Sequence, residues 1–118
     1  MPSDSAATNR WLNDIKNHIA MATGFVADVN YDSFKDDDLR LYAVIRCLEI
    51  ISEAPRRLPD ALKARHKSIA WKNMAGAGNI CRHDYEDVRA SFVWVVLQDH
   101  PARLRIVIEQ ELAALGSP

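Results

Sequence analysis

Cysteine is scarce in this chain: two in 118 residues. Cys47 and Cys81 stand alone, with no Cys-x-x-Cys pair. That argues against a structural zinc site and against the disulfide framework of a small secreted domain. The expected state is two thiols in a cytoplasmic protein. Metal-ligand spacing is missing as well. His66, His83 and His100 form no His-x-x-x-His pair, so no metal is expected. There are four glycines, and Gly76 and Gly78 lack the third glycine and the preceding strand of a nucleotide-binding loop. No cofactor is expected. Long apolar runs are absent too: Phe92-Val93-Trp94-Val95-Val96-Leu97 is far too short to span a bilayer, and no membrane association is expected. Met1-Pro2-Ser3-Asp4 has no basic region followed by an apolar segment, which reads against a signal peptide. A formal net charge of −1 gives no global pull toward nucleic acid or anionic lipid.

What the chain does have is helical periodicity. Its hydrophobic fraction of 48% and charged fraction of 26% are ordinary for a soluble globular protein, and its length suits one domain over residues 1–118, with a core of about 9–115. Thr8 reads as an N-cap, after which Trp11, Leu12, Ile15, Ile19 and Ala22 recur at three- and four-residue steps. Tyr31–Phe34 reads as a turn or short helical piece. Residues 37–56 read as one long helix entered through Asp36, Asp37 and Asp38, with Pro55 and Pro59 at its end. Residues 60–67 read as a short helix or turn, and Ser68 as the cap of a helix through Trp71 and Met74 toward Arg82. Helix resumes at Val88. Asp99-His100-Pro101 reads as a stop and restart, with Asp99 capping a last helix that carries Leu104, Val107, Ile108, Glu111, Leu112 and Leu115. Consecutive helices joined by short links predict an all-α antiparallel bundle of about five helices.

Three groups of residues invite chemistry. The first is Gly78-Asn79-Ile80-Cys81-Arg82-His83-Asp84-Tyr85. Histidine can exchange a proton near neutrality, arginine donates a charged fork suited to phosphate, and tyrosine offers a hydroxyl that can bind or be modified. A lone histidine at a helix end is more often a cap than a catalyst. The glycines just before it, Gly76 and Gly78, cost about 1 kcal/mol each against alanine in a helix and suggest close backbone approach by a helix or a ligand. The second group is Arg46, Glu49 and Glu53, whose spacing puts them on one stripe beside an apolar face. Such charges pair within the helix or face a cleft. The third is the run Arg56 to Lys72, with six basic residues (Arg56, Arg57, Lys63, Arg65, Lys67, Lys72) against Asp60, a local balance of +5. It is either a solvated face or a phosphate-attracting rim.

Residues 42–54 (Tyr-Ala-Val-Ile-Arg-Cys-Leu-Glu-Ile-Ile-Ser-Glu-Ala), 69–76 (Ile-Ala-Trp-Lys-Asn-Met-Ala-Gly), Asn79 through His83-Asp84-Tyr85, and Val93-Trp94 together resemble the HepT-like family of the HEPN superfamily. The resemblance implies a HEPN-like helical bundle that pairs as a homodimer and acts as a metal-independent ribonuclease on RNA. It implies the toxin of a toxin–antitoxin pair, neutralised by an MntA-like nucleotidyltransferase antitoxin. In some members that partner adenylylates the tyrosine two places after the motif histidine. On this chain the histidine position falls on His83, the tyrosine on Tyr85, and the asparagine after the motif arginine on Asn79. The arginine position itself is occupied by Gly78. Either Arg82 or Arg46 supplies the guanidinium, with Asn79, Glu49 and Glu53 in support, or the chain belongs to a branch with different chemistry, or it is an inactive HEPN-family module that binds a nucleotide or a nucleotidyltransferase partner.

Overall fold

A computed structural model of the chain describes residues 2–76 and 86–116. Among these residues every regular element is a helix: α1 (Pro2–Phe25), α2 (Tyr31–Lys35), α3 (Asp38–Ile51), α4 (Ala54–Arg57), α5 (Asp60–Arg65), α6 (residues 71–76) and α7 (Glu86–Gly116). The all-α reading holds. Local chemistry sets the starts. Asn30 Oδ1 accepts from the Ser33 amide at 2.9 Å to cap α2, and Asp37 Oδ1 accepts from the Arg40 amide at 3.1 Å to cap α3.

Side-chain contacts fix the directions. Arg40, at the start of α3, donates from Nη1 to the Phe25 carbonyl at 2.9 Å and to Asp28 at 3.0 Å, beyond the end of α1. Past the other end of α3, the Arg57 guanidinium lies 4.8 Å from the Trp11 ring centroid. So α3 runs back along α1. Likewise α7 runs antiparallel to α1: Trp94 packs against Tyr31 and Phe34, with centroids 5.8 and 5.3 Å away, while Glu109 reaches Lys16 at 4.0 Å. The seam between these three helices is the core. Leu12, Ile15 and Ile19 of α1 meet Leu41, Val44 and Leu48 of α3 and Val93, Leu104 and Ile108 of α7. At ~1.5–3 kcal/mol for each buried side chain, this packing outweighs any local propensity.

Three boundaries differ from the sequence reading. The first helix begins at Pro2, not after Thr8. Pro2 suits a first helical position, and nothing between it and Thr8 breaks a helix. The helix expected over 37–56 ends at Ile51. Pro55 has no amide to donate to the Ile51 carbonyl and its ring would crowd that group. Ser52 closes the turn, its hydroxyl donating to the Glu49 carbonyl at 2.7 Å, and Pro55 sits in the first turn of α4. Conversely, no break occurs at Asp99-His100-Pro101, and α7 runs through Pro101. An interior proline costs about 3 kcal/mol. Val93 and Val96 before it, and Leu104, Val107 and Ile108 after it, are all buried, so both halves of α7 are held against the rest of the bundle.

Candidate functional site

Asn79, Arg82, His83 and Tyr85, with Gly78, lie outside the described residues. Among the described residues Arg46 and Glu49 of α3, with Glu53 just past its end as the N-cap of α4, are the part of the expected site that has geometry. Arg46, Glu49 and Glu53 line a groove of about 350 Å³ whose other walls are Trp11, Asp14 and Ile50. The antiparallel pairing of α1 and α3 makes this groove, because it sets the Trp11–Asp14 turn beside the last turns of α3. Arg46 Nη1 pairs with Glu49 Oε1 at 3.7 Å, and the three side chains also face a cleft.

The electrostatics qualify what the groove can do. Asp14, Glu49 and Glu53 outnumber Arg46 in the lining, so the groove as a whole repels phosphate. Arg46 is the cation of this lining that can meet a phosphate oxygen, and with 72% of its side chain exposed it can swing outward. Glu53 is drawn instead to Arg56, 3.3 Å away. Farther out on the same stripe, Leu39 is 84% exposed and Tyr42 is more than half exposed, giving α3 an open apolar end beyond its polar one.

Sequence reasoning missed a second cluster. Glu111 is 8% exposed, yet charged. Arg65 grips it through Nη2 to Oε1 at 2.6 Å and Nε to Oε2 at 3.2 Å, and His66 Nε2 lies 2.7 Å from Oε2. The hydrogen bond from Arg65, helped by that from His66, holds the Glu111 carboxyl below the usual carboxylate range against the opposing effect of burial. An ionised carboxylate only accepts, so Nε2 of His66 is the donor. Beside this cluster the Trp71 indole N–H is shared between the carbonyls of Lys63 at 3.2 Å and His66 at 3.1 Å. Glu111 had been legible as part of the periodic face of the last helix. Its partners were not, because they lie 45 and 46 residues away in sequence.

At Gly76 an added Cβ would meet nothing within 4 Å among the described residues, so none of them makes the close approach that its cost suggested. Cys47 is a free, buried thiol, and burial pushes its pKa up, which makes it a poor nucleophile. Among the described residues no group of three His, Cys, Asp or Glu side chains is placed to hold a metal ion. No helix of the described residues is long and apolar enough to cross a membrane.

The sequence is similar to known proteins. A family model described as Ribonuclease HepT-like matches residues 15–111, most of the chain. The chain is 33% identical over 93 residues to "Probable ribonuclease HepT" of Thermococcus cleftensis, covering 78% of this chain and 84% of that protein. It is 29% identical over 99 residues to "Putative RNase MJ1380" of Methanocaldococcus jannaschii, covering 84% of this chain and 91% of that one. "Putative RNase MJ0125" of the same archaeon is 33% identical over 84 residues, covering 71% and 72%. No solved structure matches the chain.

Proposed function

This chain belongs to the HepT-like ribonuclease family, and from that premise we propose that it cleaves RNA without a metal, using the imidazole of His83. The observation that carries the proposal is the family match across residues 15–111, which contains the whole segment Asn79–Tyr85. His83 takes the proton of a ribose 2′-hydroxyl. The 2′-oxygen then attacks the adjacent phosphorus, and the bond to the 5′-oxygen breaks. A proton delivered to that oxygen completes the step, leaving a 2′,3′-cyclic phosphate and a 5′-hydroxyl. In a homodimer the two copies of His83 divide the roles of base and acid across one cleft.

A guanidinium stabilises the charge that builds on the phosphate oxygens. Gly78 cannot supply it. Arg82, beside the histidine, is the first choice, and Arg46 is the second because its side chain is largely exposed. Asn79 supports the phosphate, and Glu49 holds Arg46. The chain acts as a toxin restrained by a nucleotidyltransferase antitoxin that adenylylates Tyr85, setting a bulky anionic group two residues from the catalytic ring. The glycine at position 78 also favours a second reading, a catalytically silent member that binds a nucleotide or that partner.

Cleavage of a labelled RNA by the purified chain in excess EDTA, for wild type, Arg82→Ala, Arg46→Ala and Gly78→Arg, tests the assignment. Activity lost in Arg82→Ala supports it. Activity present only in Gly78→Arg establishes the silent reading.

A further inference from the structure

The basic run Arg56–Lys72 takes no part in the chemistry above, and its charges are not equivalent in the fold. Arg56 is neutralised by Glu53 at 3.3 Å, Lys63 by Asp60 at 3.3 Å and Arg65 by Glu111 at 2.6 Å. Arg57 lies over the Trp11 ring. Lys67 and Lys72 are exposed and make no ion pair with any of the described residues. Lys67 directly follows His66 of the Glu111 clamp, and Lys72 directly follows Trp71. We propose that Lys67 and Lys72 form the site that holds the phosphate backbone of single-stranded RNA; this rests on the ribonuclease reading above.

Two features separate this segment from an ordinary solvated face. The first is contrast. Counted with Glu53 and Glu111, the two carboxylates from outside that pair into it, Arg56–Lys72 carries +3, and a net charge of −1 for the chain leaves −4 for the other residues. A polyanion is repelled by most of the surface and drawn to this stretch. The second is rigidity. Leu58, Leu62 and Ile69 are buried, the Trp71 indole ties the turn to two carbonyls, and Arg65 and His66 fasten it to α7 through Glu111. Cations on a segment already ordered lose little freedom when a phosphate arrives, so more of the attraction survives as affinity. The helix that carries Lys72 leads on in sequence toward Asn79 and His83.

The test is fluorescence anisotropy of a labelled 2′-O-methyl oligoribonucleotide, which has no 2′-hydroxyl to attack, titrated with the full chain at several salt concentrations. Single-stranded RNA gives a slope of log K on log salt of about −0.7 per neutralised phosphate. The Lys67→Ala/Lys72→Ala double variant should bind more weakly and show a slope shallower by about 1.4. Lys67→Glu/Lys72→Glu should bind more weakly still. Lys16→Ala/Lys35→Ala, which removes two cations on other helices, should leave the slope unchanged. An unchanged slope in a Lys67→Ala/Lys72→Ala variant of wild-type melting temperature overturns the proposal. So does an equal loss in the control pair, or binding to polyglutamate with none to RNA. Because the probe cannot be cut, the two readings separate: wild type that binds it through Lys67 and Lys72 but leaves ordinary RNA intact sustains this site and removes the nuclease.

Discussion

His66 Nε2 lies 2.7 Å from Glu111 Oε2, joining the turn after α5 to the last helix across 45 residues of sequence. This bond and the Arg65 fork fasten the basic segment to α7. Glu111→Gln keeps the size of the side chain but removes the charge that both partners address. Arg65 is more than half exposed, so solvent screens its share. With that share reduced and the part-buried His66 bond weakened as well, the loss is about 1–2 kcal/mol. In a chain of this size that lowers Tm by roughly 4–10 °C, readable by circular dichroism.

The same carboxylate gives a pH signature. Its folded pKa is depressed, chiefly by the hydrogen bond from Arg65. The stabilisation is therefore complete above the unfolded value, about 4.3, and is lost as pH falls through the lower folded value. Melting temperatures of wild type and Glu111→Gln should differ at neutral pH, and the gap should narrow progressively as pH falls below about 4.3. A gap that stays the same down to the acid limit of folding would refute the assignment of Glu111 as the ionised partner.

Phe34 is fully buried, and its ring packs 5.3 Å from that of Trp94. α2 is five residues long, too short to persist without this anchor. Phe34→Ala should cost about 3–5 kcal/mol in a urea or guanidinium titration, and should also shift the fluorescence of Trp94.

Pro101 interrupts the hydrogen-bond ladder of α7 while its ring lines a small apolar cavity of about 30 Å³ with Leu48, Val96 and Leu104. Pro101→Ala restores an amide that can reach the Leu97 carbonyl, and enlarges the cavity. The restored helix geometry is the larger effect, up to about 3 kcal/mol, so Tm should rise. A fall in Tm would mean that the ring's packing dominates.

Tyr85 bears on regulation. Incubated with ATP and the cognate nucleotidyltransferase, the wild-type chain should gain the mass of one or more AMP groups, and Tyr85→Phe should gain none while keeping the wild-type melting temperature. Intact-mass spectrometry checks this. Modification that persists in Tyr85→Phe would place the acceptor elsewhere.

Much of the fold could be read from spacing alone. Leu12, Ile15, Ile19 and Ala22 recur at helical steps and are all buried, because a single repeating face needs only local geometry. The pairing of Arg46 with Glu49 was legible for the same reason. The breaks were less legible. Both Pro55 and Pro101 remove a backbone donor, yet one follows the end of a helix and the other sits inside one. The difference lies in the buried side chains on both sides of Pro101, which no local pattern reveals. The Arg65–His66–Glu111 cluster was invisible for a related reason: its members meet only once the chain has folded back. Of the site, Arg46, Glu49 and Glu53 meet in one groove as their spacing suggested, but the acidic excess there comes partly from Asp14 on α1.

The most direct measurement is the rate of cleavage of a labelled RNA in excess EDTA by wild type and by His83→Ala, with the product ends identified. Wild type should yield a 2′,3′-cyclic phosphate and a 5′-hydroxyl. His83→Ala should cleave ~10²–10⁴-fold more slowly while melting at the wild-type temperature. Equal cleavage by a folded His83→Ala chain would contradict the account.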